Sequence, residues 1–592
     1  MSAPMQITYD LMPALDAELR AAAAQTEIFD DEFSPELRPA DPRFGDFQAN
    51  GVLPFAKKRG LNPREAAQSL IEALVSDESR EVKISGPGFL NFRLTPTFRL
   101  EWLRRFGTEE ALREGASADP KSSEAQAASR VVLDFSSPNL AKQMHVGHVR
   151  STIIGDVLAR ILAFTGSDTT RDNHVGDWGT QFGILILAIK RSGTSLQEIG
   201  PDPLAQLEDL YREGTILVKE DEALAGEARA ELVKLQGGDP ENHALWQKVI
   251  EISFSSFRKV YDLLGVRFDE QLGESFYRDK VDAVYESLTR HGICEEDEGA
   301  LVVFHPEHKR FAKQPFIVRK SDGASNYATT DLATVKHRVD TMKAEEIIYV
   351  TDARQKDHFE QLFLTCQKWF NAEDKALPRL RHVHFGTILG EDNKAIKTRE
   401  GQPIKLIDLL NEAVSRARAI VDEKTPDLPE EEKVRRSRAI GLGAVRYADL
   451  SQDRTLDYVF SWDKLLALQG NTAPYLQYAA TRVRSIFRKA GLEPGQGEEE
   501  ADAPATEAEN ALARRLIFFP AVLDQARREL KPHHLCAYLY DLATDFSSFY
   551  NADKVMVEEA NVRARRLMLC ARVLLFLDTG LGLLGIERPE GM

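Results

Sequence analysis

Hydrophobic positions change their spacing several times along the chain, and each change marks a unit. Up to about residue 107 the pattern is mixed. A helical start leads into FGDFQANGVLPFAKKRGLNPREAAQSLIEAL, and EVKISGPGFLNFRL then places apolar-rich runs on both sides of Gly86-Pro87-Gly88. Such a turn punctuates strands, so residues 1–107 predict a separate α+β domain. Residues 108–130 carry Ala, Ser, Glu and Asp without an apolar stripe, which is linker composition.

A second unit opens at Val131-Val132-Leu133-Asp134-Phe135, the short apolar run of a buried strand. The polar turn SSPNLAKQMHVGH follows. Beyond it, Ile153, Val157 and Ile161 form one stripe with Ile154, Leu158 and Leu162 beside it, the spacing of a helix lying on a sheet. Gly166 closes this helix, and residues 169–173 predict the next strand. Strand, helix and strand together predict a Rossmann-type, doubly wound parallel sheet. Charged helical segments follow, and strands return at 315–319 (PFIVR), 347–351 (IIYVT) and 380–389 (LRHVHFGTIL). The sheet domain, 131–410, is therefore expected to be split by a helical insertion at about 200–300. Residues 411–592 predict an all-helical region. Its acidic break, EPGQGEEEADAPATEAEN at 493–510, has the composition of a solvated loop.

Composition narrows the class. The chain has 592 residues, 43% hydrophobic and 29% charged, which excludes collagen-like and disordered proteins. Its four cysteines lie far apart and form no CxxC pair, arguing for a reducing compartment and against a cysteine-held metal. The N-terminus lacks the basic and apolar regions of a secretory signal, and no run approaches membrane-spanning length, so a cytoplasmic protein without a membrane partner is expected. The net charge of −17 argues against nonspecific binding to polyanions but leaves room for a local basic face.

The chemistry concentrates in Pro138-Asn139-Leu140-Ala141-Lys142-Gln143-Met144-His145-Val146-Gly147-His148. A turn between strand and helix offers free N–H groups and a helix dipole to a phosphate. His145 and His148, three apart, share a helix face and are placed to donate hydrogen bonds to a polyphosphate. Gly147 leaves room for a flat ring such as adenine, and Lys142 adds a positive charge. On its own, an HxxH pair is more often surface histidine or half of a metal site. No third metal ligand lies nearby in sequence, and no metal site is assigned.

FSSPNLAKQMHVGHVRSTIIGD resembles the HIGH signature of class I aminoacyl-tRNA synthetases in its arginyl form. NHVGDWGTQFG (173–183), GESFY (273–277), YATTDLA (327–333), DARQKDHFEQLF (352–363), VRYADLSQDRTLDYVFSWD (445–463) and GNTAPYLQYAATRV (470–483) resemble further blocks of that family in the same order. FGDFQAN and ISGPGF resemble its additional N-terminal domain.

The resemblance implies activation of L-arginine by ATP, with Mg2+ accompanying ATP as substrate and no tightly bound cofactor. Transfer to tRNA follows. Pro138, His145, Gly147, His148, Phe385 and Gly386 are implied at ATP, with Phe385-Gly386 as an adenine shelf. Tyr327 and Asp331 are implied at the guanidinium, a planar fork whose natural partner is a carboxylate. Asn139 and Gln355 are implied at the α-amino and carboxylate end, where Asp134 and Ser136 are also assigned. Without the family, YATTD reads as a strand or turn with Asp331 capping the next helix.

The second class signature, a lysine-rich KMSKS loop, is degenerate. Ile396-Lys397-Thr398-Arg399 stands in its place and Glu400 falls where an active lysine would be. Lys142 is expected to compensate, with Lys397 and Arg399 as further cations.

The N-terminal domain is implied to meet the tRNA elbow and the C-terminal helices the anticodon. Arg482, Arg484, Arg488, Lys489, Arg514, Arg515, Arg527, Arg528, Arg563, Arg565 and Arg566 cluster in those helices, among Tyr475, Tyr478, Phe549 and Tyr550. The family implies a monomer. A cysteinyl-type synthetase would require zinc-binding cysteines and a clear KMSKS loop. A catalytically silent RNA binder would have no chemical need for the HIGH and YATTD residues.

Overall fold

A computed structural model describes residues 6–74, 78–118, 130–196, 200–321, 327–394, 396 and 404–589. The chain divides into two compact units.

The first unit combines residues 1–127, 164–166 and 467–592. Its N-terminal part carries β1 (Leu37–Pro39), β2 (Phe47–Ala49), β3 (Arg80–Ser85) and β4 (Phe89–Leu94) in an antiparallel sheet of order β1-β2-β4-β3. Helix Leu11–Ala23 buries Leu11, Leu15 and Leu19, and Asp10 caps it by accepting from the Met12 N–H. The C-terminal part is a bundle of helices Ala473–Ala490, Glu507–Ile517, Phe519–Glu529, His533–Ala552 and Ala560–Leu583. The two parts meet around Asp46, which is buried and accepts from Arg99 at 2.8 Å and Arg514 at 3.2 Å. Residues 109–118, read from composition as linker, form a helix with Leu112 fully buried and Arg113 over the Phe164 ring. One apolar anchor suffices there, and a single position is invisible as a stripe.

The second unit, residues 128–163 and 167–466, holds β5 (Arg130–Asp134), β6 (Asp168–Asp172), β7 (Glu295–Asp297), β8 (Ala300–Val303), β9 (Phe316–Arg319), β10 (Glu346–Asp352), β11 (Arg379–Phe385), β12 (Ile388–Leu389) and β13 (Tyr458–Val459). Strands β11-β10-β5-β6 form the expected parallel sheet, with Leu133 opposite Ile348 on one side and Arg171 on the other. Helix Gly147–Phe164 buries Ile153, Ile154, Val157, Leu158 and Ile161. Ser151 ties it to β10 by donating to the Val350 carbonyl at 2.6 Å.

The insertion departs from expectation. Helices occupy Pro203–Leu264, but β7, β8 and β9 make a small antiparallel sheet, so PFIVR lies outside the parallel sheet. Helices Leu406–Lys424 and Glu430–Leu450 group with the parallel-sheet unit. Among the described residues no helix is long and apolar enough to cross a membrane. All four cysteines are free and buried.

Candidate active site

The turn after β5 is held in a conformation few side chains adopt. Ser136, Ser137 and Ala141 have φ of 70°, 44° and 62°, each costing on the order of 1–3 kcal/mol. The surroundings impose it. Ser136 N–H donates to Ser151 Oγ at 2.8 Å, Ser137 N–H to Asn173 Oδ1 at 3.0 Å, and Ala141 N–H to Ser253 Oγ at 3.0 Å. Leu140 N–H donates to the Gly176 carbonyl, and Gly176 N–H to that of Pro138. A Cβ at Gly176 would lie 2.2 Å from Asn139 Oδ1, so a side chain there would displace the Asn139 amide. Asn139 is exposed.

The two histidines stack with ring centroids 4.1 Å apart. His145 N–H donates to His148 Nδ1, and Gly147 N–H donates to His145 Nδ1, both at 3.1 Å. Each Nδ1 is an acceptor, so each proton belongs on Nε2. Burial holds His148 down to about 3, with His145 adding to the effect. Burial, then the charges of Arg354 and Lys142, also lowers His145. At pH 7 both imidazoles are therefore neutral Nε2–H donors. A Cβ on Gly147 would lie 2.8 Å from His145 Cε1, so the space that glycine leaves belongs to the imidazole.

Lys142, half-buried, places Nζ 4.8 Å from the centre of the Tyr211 ring. Val146 N–H donates to the Ile404 carbonyl at 2.9 Å, and Leu406 N–H to the Met144 carbonyl at 2.8 Å. The segment that follows the degenerate loop is thus laced to the first histidine. Lys397, Arg399 and Glu400 themselves lie outside the described residues.

Tyr327 and Asp331 sit one turn apart on helix Tyr327–Asp340, which corrects the strand-and-cap reading of YATTD. Tyr327 is 67% exposed, and Asp331 Oδ2 accepts from His358 Nε2 at 2.5 Å. Glu274 stands near them with its carboxyl pushed up to about 8, first by burial, then by the charges of Asp177 and Asp331. Burial also raises Asp177, against hydrogen bonds from Ser275. Two carboxylates beside Glu274 thus oppose its ionisation, as like charges at close range do. Gln355 lies exposed on the 3-10 turn that follows β10.

Three assigned residues are committed elsewhere. Asp134 accepts from the fully buried Arg338 at 2.7 Å through Oδ2 and from Ser137 at 2.9 Å through Oδ1. Arg338 also donates to Asp172 at 2.7 Å, so Asp134 joins two strands to a helix. Ser136 Oγ is buried between Thr152 Oγ1 and Tyr261 OH, each at 2.9 Å. Phe385 is buried with Arg150 over its ring, so the ring is no open shelf. Gly386 lies beside the Leu456 carbonyl and Asp457, and its N–H donates to the Arg454 carbonyl at 2.9 Å.

Comparison with known proteins adds three independent matches. Residues 109–462 match the model for the class I tRNA synthetase (R) catalytic domain, 476–592 the DALR anticodon binding domain, and 13–94 the arginyl-tRNA synthetase N-terminal domain. An arginine–tRNA ligase of Laribacter hongkongensis is 44% identical over 99% of this chain and 100% of that protein. The chain belongs to the arginyl-tRNA synthetase family. A second relative, the arginine–tRNA ligase of Cellvibrio japonicus, is 46% identical over 93% of this chain and 94% of its own length. The crystal structure of Plasmodium falciparum arginyl-tRNA synthetase superposes with a TM-score of 0.83 at 28% identity, covering 100% of both chains.

Sequence reasoning does not single out Glu274, Asp177, His358 or Arg354 in this synthetase fold. The signal available was their place inside the GESFY, NHVGDWG and DARQKDHF blocks. Arg354 pairs with Asp352 at 2.8 and 3.0 Å on the turn that carries Gln355.

The C-terminal basic clusters need a different reading. Arg565 and Arg566 are buried against Glu509, and Arg566 also pairs with Asp553 at 2.8 Å. Arg514 pairs with Asp46, Arg515 with Asp541 and Asp545, Arg527 and Arg528 with Asp524, and Arg484 with Asp578. The acidic segment is largely exposed, as its composition predicts, but it is anchored at several points. Its Glu498 holds the buried Arg572 at 2.9 Å, its Asp502 pairs with Arg565, Ala501 is buried, and Thr506 with Glu509 forms a capping box. Arg482 differs, lying over the Tyr478 ring at 5.1 Å and the Tyr550 ring at 5.5 Å, with both tyrosines exposed.

Proposed function

We propose that this chain is an ATP-dependent arginine–tRNA ligase, which forms arginyl-adenylate and pyrophosphate and then transfers the arginyl group to the 3'-terminal adenosine of its cognate tRNA. The observation that carries the residue-level reading is a neutral imidazole pair after β5, combined with three clustered carboxyl groups.

In the first step the arginine carboxylate, already anionic, attacks the α-phosphorus of ATP. A carboxyl oxygen–phosphorus bond forms, the bond to the pyrophosphate oxygen breaks, and no proton needs to move. The protein supplies alignment and charge stabilisation. The Nε2–H groups of His145 and His148 donate to phosphate oxygens, the helix start at Gly147 adds its dipole, and Lys142 adds a cation. Pro138 and the main chain at Gly386 border the nucleotide. Mg2+ arrives with ATP, and no further bound cofactor is assigned. In the second step a ribose hydroxyl of the terminal adenosine attacks the carbonyl carbon. AMP leaves, and the hydroxyl proton passes to the departing phosphate or to water.

Asp331, Tyr327 and Glu274 take the guanidinium, while Asn139 and Gln355 take the amino-acid end. Asp134 and Ser136 act by holding the loop. Asp331→Asn should raise the arginine KM about tenfold or more, the scale of a charge-assisted hydrogen bond, while the ATP KM moves little. Unchanged arginine kinetics would remove Asp331 from the pocket.

The N-terminal domain meets the tRNA elbow and the C-terminal helices meet the anticodon, with Tyr478, Arg482 and Tyr550 as a stacking platform. Arg482→Ala should raise the tRNA KM about tenfold, within the range of one base–aromatic stack, without altering pyrophosphate exchange at saturating tRNA. The enzyme works as a cytoplasmic monomer. Aminoacylation by the purified protein with each amino acid and total tRNA tests the whole reading, and charging of lysine or cysteine in place of arginine would overturn it.

A further inference from the structure

The carboxylate assigned to the guanidinium has a fixed neighbour. Asp331 Oδ2 accepts from His358 Nε2 at 2.5 Å, and the Asp331 side chain keeps 18% of its surface exposed. His358 belongs to helix Lys356–Ala372, which starts directly after the turn bearing Gln355. Its ring centroid lies 5.7 Å from that of Phe316 and 5.3 Å from that of Phe359, so aromatic neighbours restrict its rotation. One helix start therefore carries both the amide assigned to the amino-acid end of the substrate and the imidazole that grips the carboxylate at the other end.

We propose that His358 is a positioning residue for arginine recognition: its Nε2–H pins one oxygen of Asp331 and leaves the other for the substrate guanidinium. The proposal rests on the reading of Asp331 given above. A free aspartate swings about its terminal torsion, and a planar fork binds well only to a carboxylate already turned to meet it. Pinning removes that freedom before the substrate arrives. His358 touches no reacting atom, so its loss acts on binding and not on the chemical step.

The test uses the full chain and two substitutions of similar polarity. In His358→Asn the amide ends near the position of Nδ1 and falls short of Asp331. In His358→Gln the amide reaches the position of Nε2. His358→Asn should raise the arginine KM about tenfold, on the order of one hydrogen bond to a charged group, with kcat and the ATP KM within about twofold. His358→Gln should recover most of that loss. Combined with Asp331→Asn, the His358→Asn change should add little, because both act through one contact. An unchanged arginine KM in His358→Asn, alongside a raised one in Asp331→Asn, would overturn the positioning role and leave the pocket intact. An unchanged arginine KM in Asp331→Asn would overturn the pocket reading itself. Parallel loss of kcat and of both KM values, without recovery in His358→Gln, would make His358 a packing residue and refute the proposal.

Discussion

Lys142→Ala should lower kcat for tRNA-saturated pyrophosphate exchange about a hundredfold, the scale of removing one donor that acts on the transition state. Two features make Lys142 the cation to test. It lies on the turn that leads into His145, and its charge reaches that imidazole strongly enough to lower the ring's pKa. The degenerate loop also has Glu400 where an active lysine would stand. The Tyr211 ring beneath Nζ holds the ammonium near the site without neutralising it, so the charge stays available for the leaving pyrophosphate. Arginine affinity, measured by equilibrium binding, should survive the substitution. Lys142→Arg should keep part of the rate, since it preserves the charge but not the shape of the ammonium. Full exchange activity in Lys142→Ala would pass the role to Lys397 or Arg399.

What could be read from sequence follows the range of the interactions. The strand, turn and helix around His145 and His148 are local, so apolar spacing located them and the fold confirms the parallel sheet on which they sit. The carboxyl cluster is not local. Asp177, Glu274 and Asp331 come from three segments that only the tertiary fold assembles, and each alone is an ordinary acidic residue. Composition misleads where charges compensate across the chain. Within the acidic 493–510 segment, Asp502 and Glu498 pair with Arg565 and Arg572 from a distant helix. Many C-terminal arginines that suggest an RNA face spend their charge on such pairs, leaving Arg482 and its two tyrosines as the more informative group. Asp134 and Phe385 carry the residue types that binding would use. Buried partners, Arg338 and Arg150, contact them in this structure, and no spacing rule reveals those partners.

Arginine binding should expel a proton. The Glu274 carboxyl sits at about 8 because burial and the charges of Asp177 and Asp331 oppose its ionisation, while the Trp178 backbone N–H works weakly the other way. Below that pH the unliganded protein keeps Glu274 protonated. An entering guanidinium favours the ionised form, so affinity weakens as pH falls through 8 and levels off above it. A group that must lose one proton on binding costs about tenfold in affinity per pH unit well below its pKa, so the arginine KM should drop about fiftyfold between pH 6 and pH 8. Glu274→Gln fixes the neutral form. It should flatten this slope and raise the arginine KM at pH 8 about a hundredfold, the scale of truncating one member of a close charge pair. Calorimetry of arginine binding in two buffers of different ionisation enthalpy should show close to one proton released at pH 7 by the unsubstituted protein and almost none by Glu274→Gln. An unchanged slope in Glu274→Gln would assign the titration to Asp177, whose carboxyl burial also raises. Asp177 makes two hydrogen bonds with Ser275, which hold its carboxylate in place and favour the ionised form. For Glu274 the stabilising contact is a backbone hydrogen bond from Trp178, outweighed by burial and two neighbouring carboxylates, and that difference makes Glu274 the group expected to hold the proton until arginine displaces it.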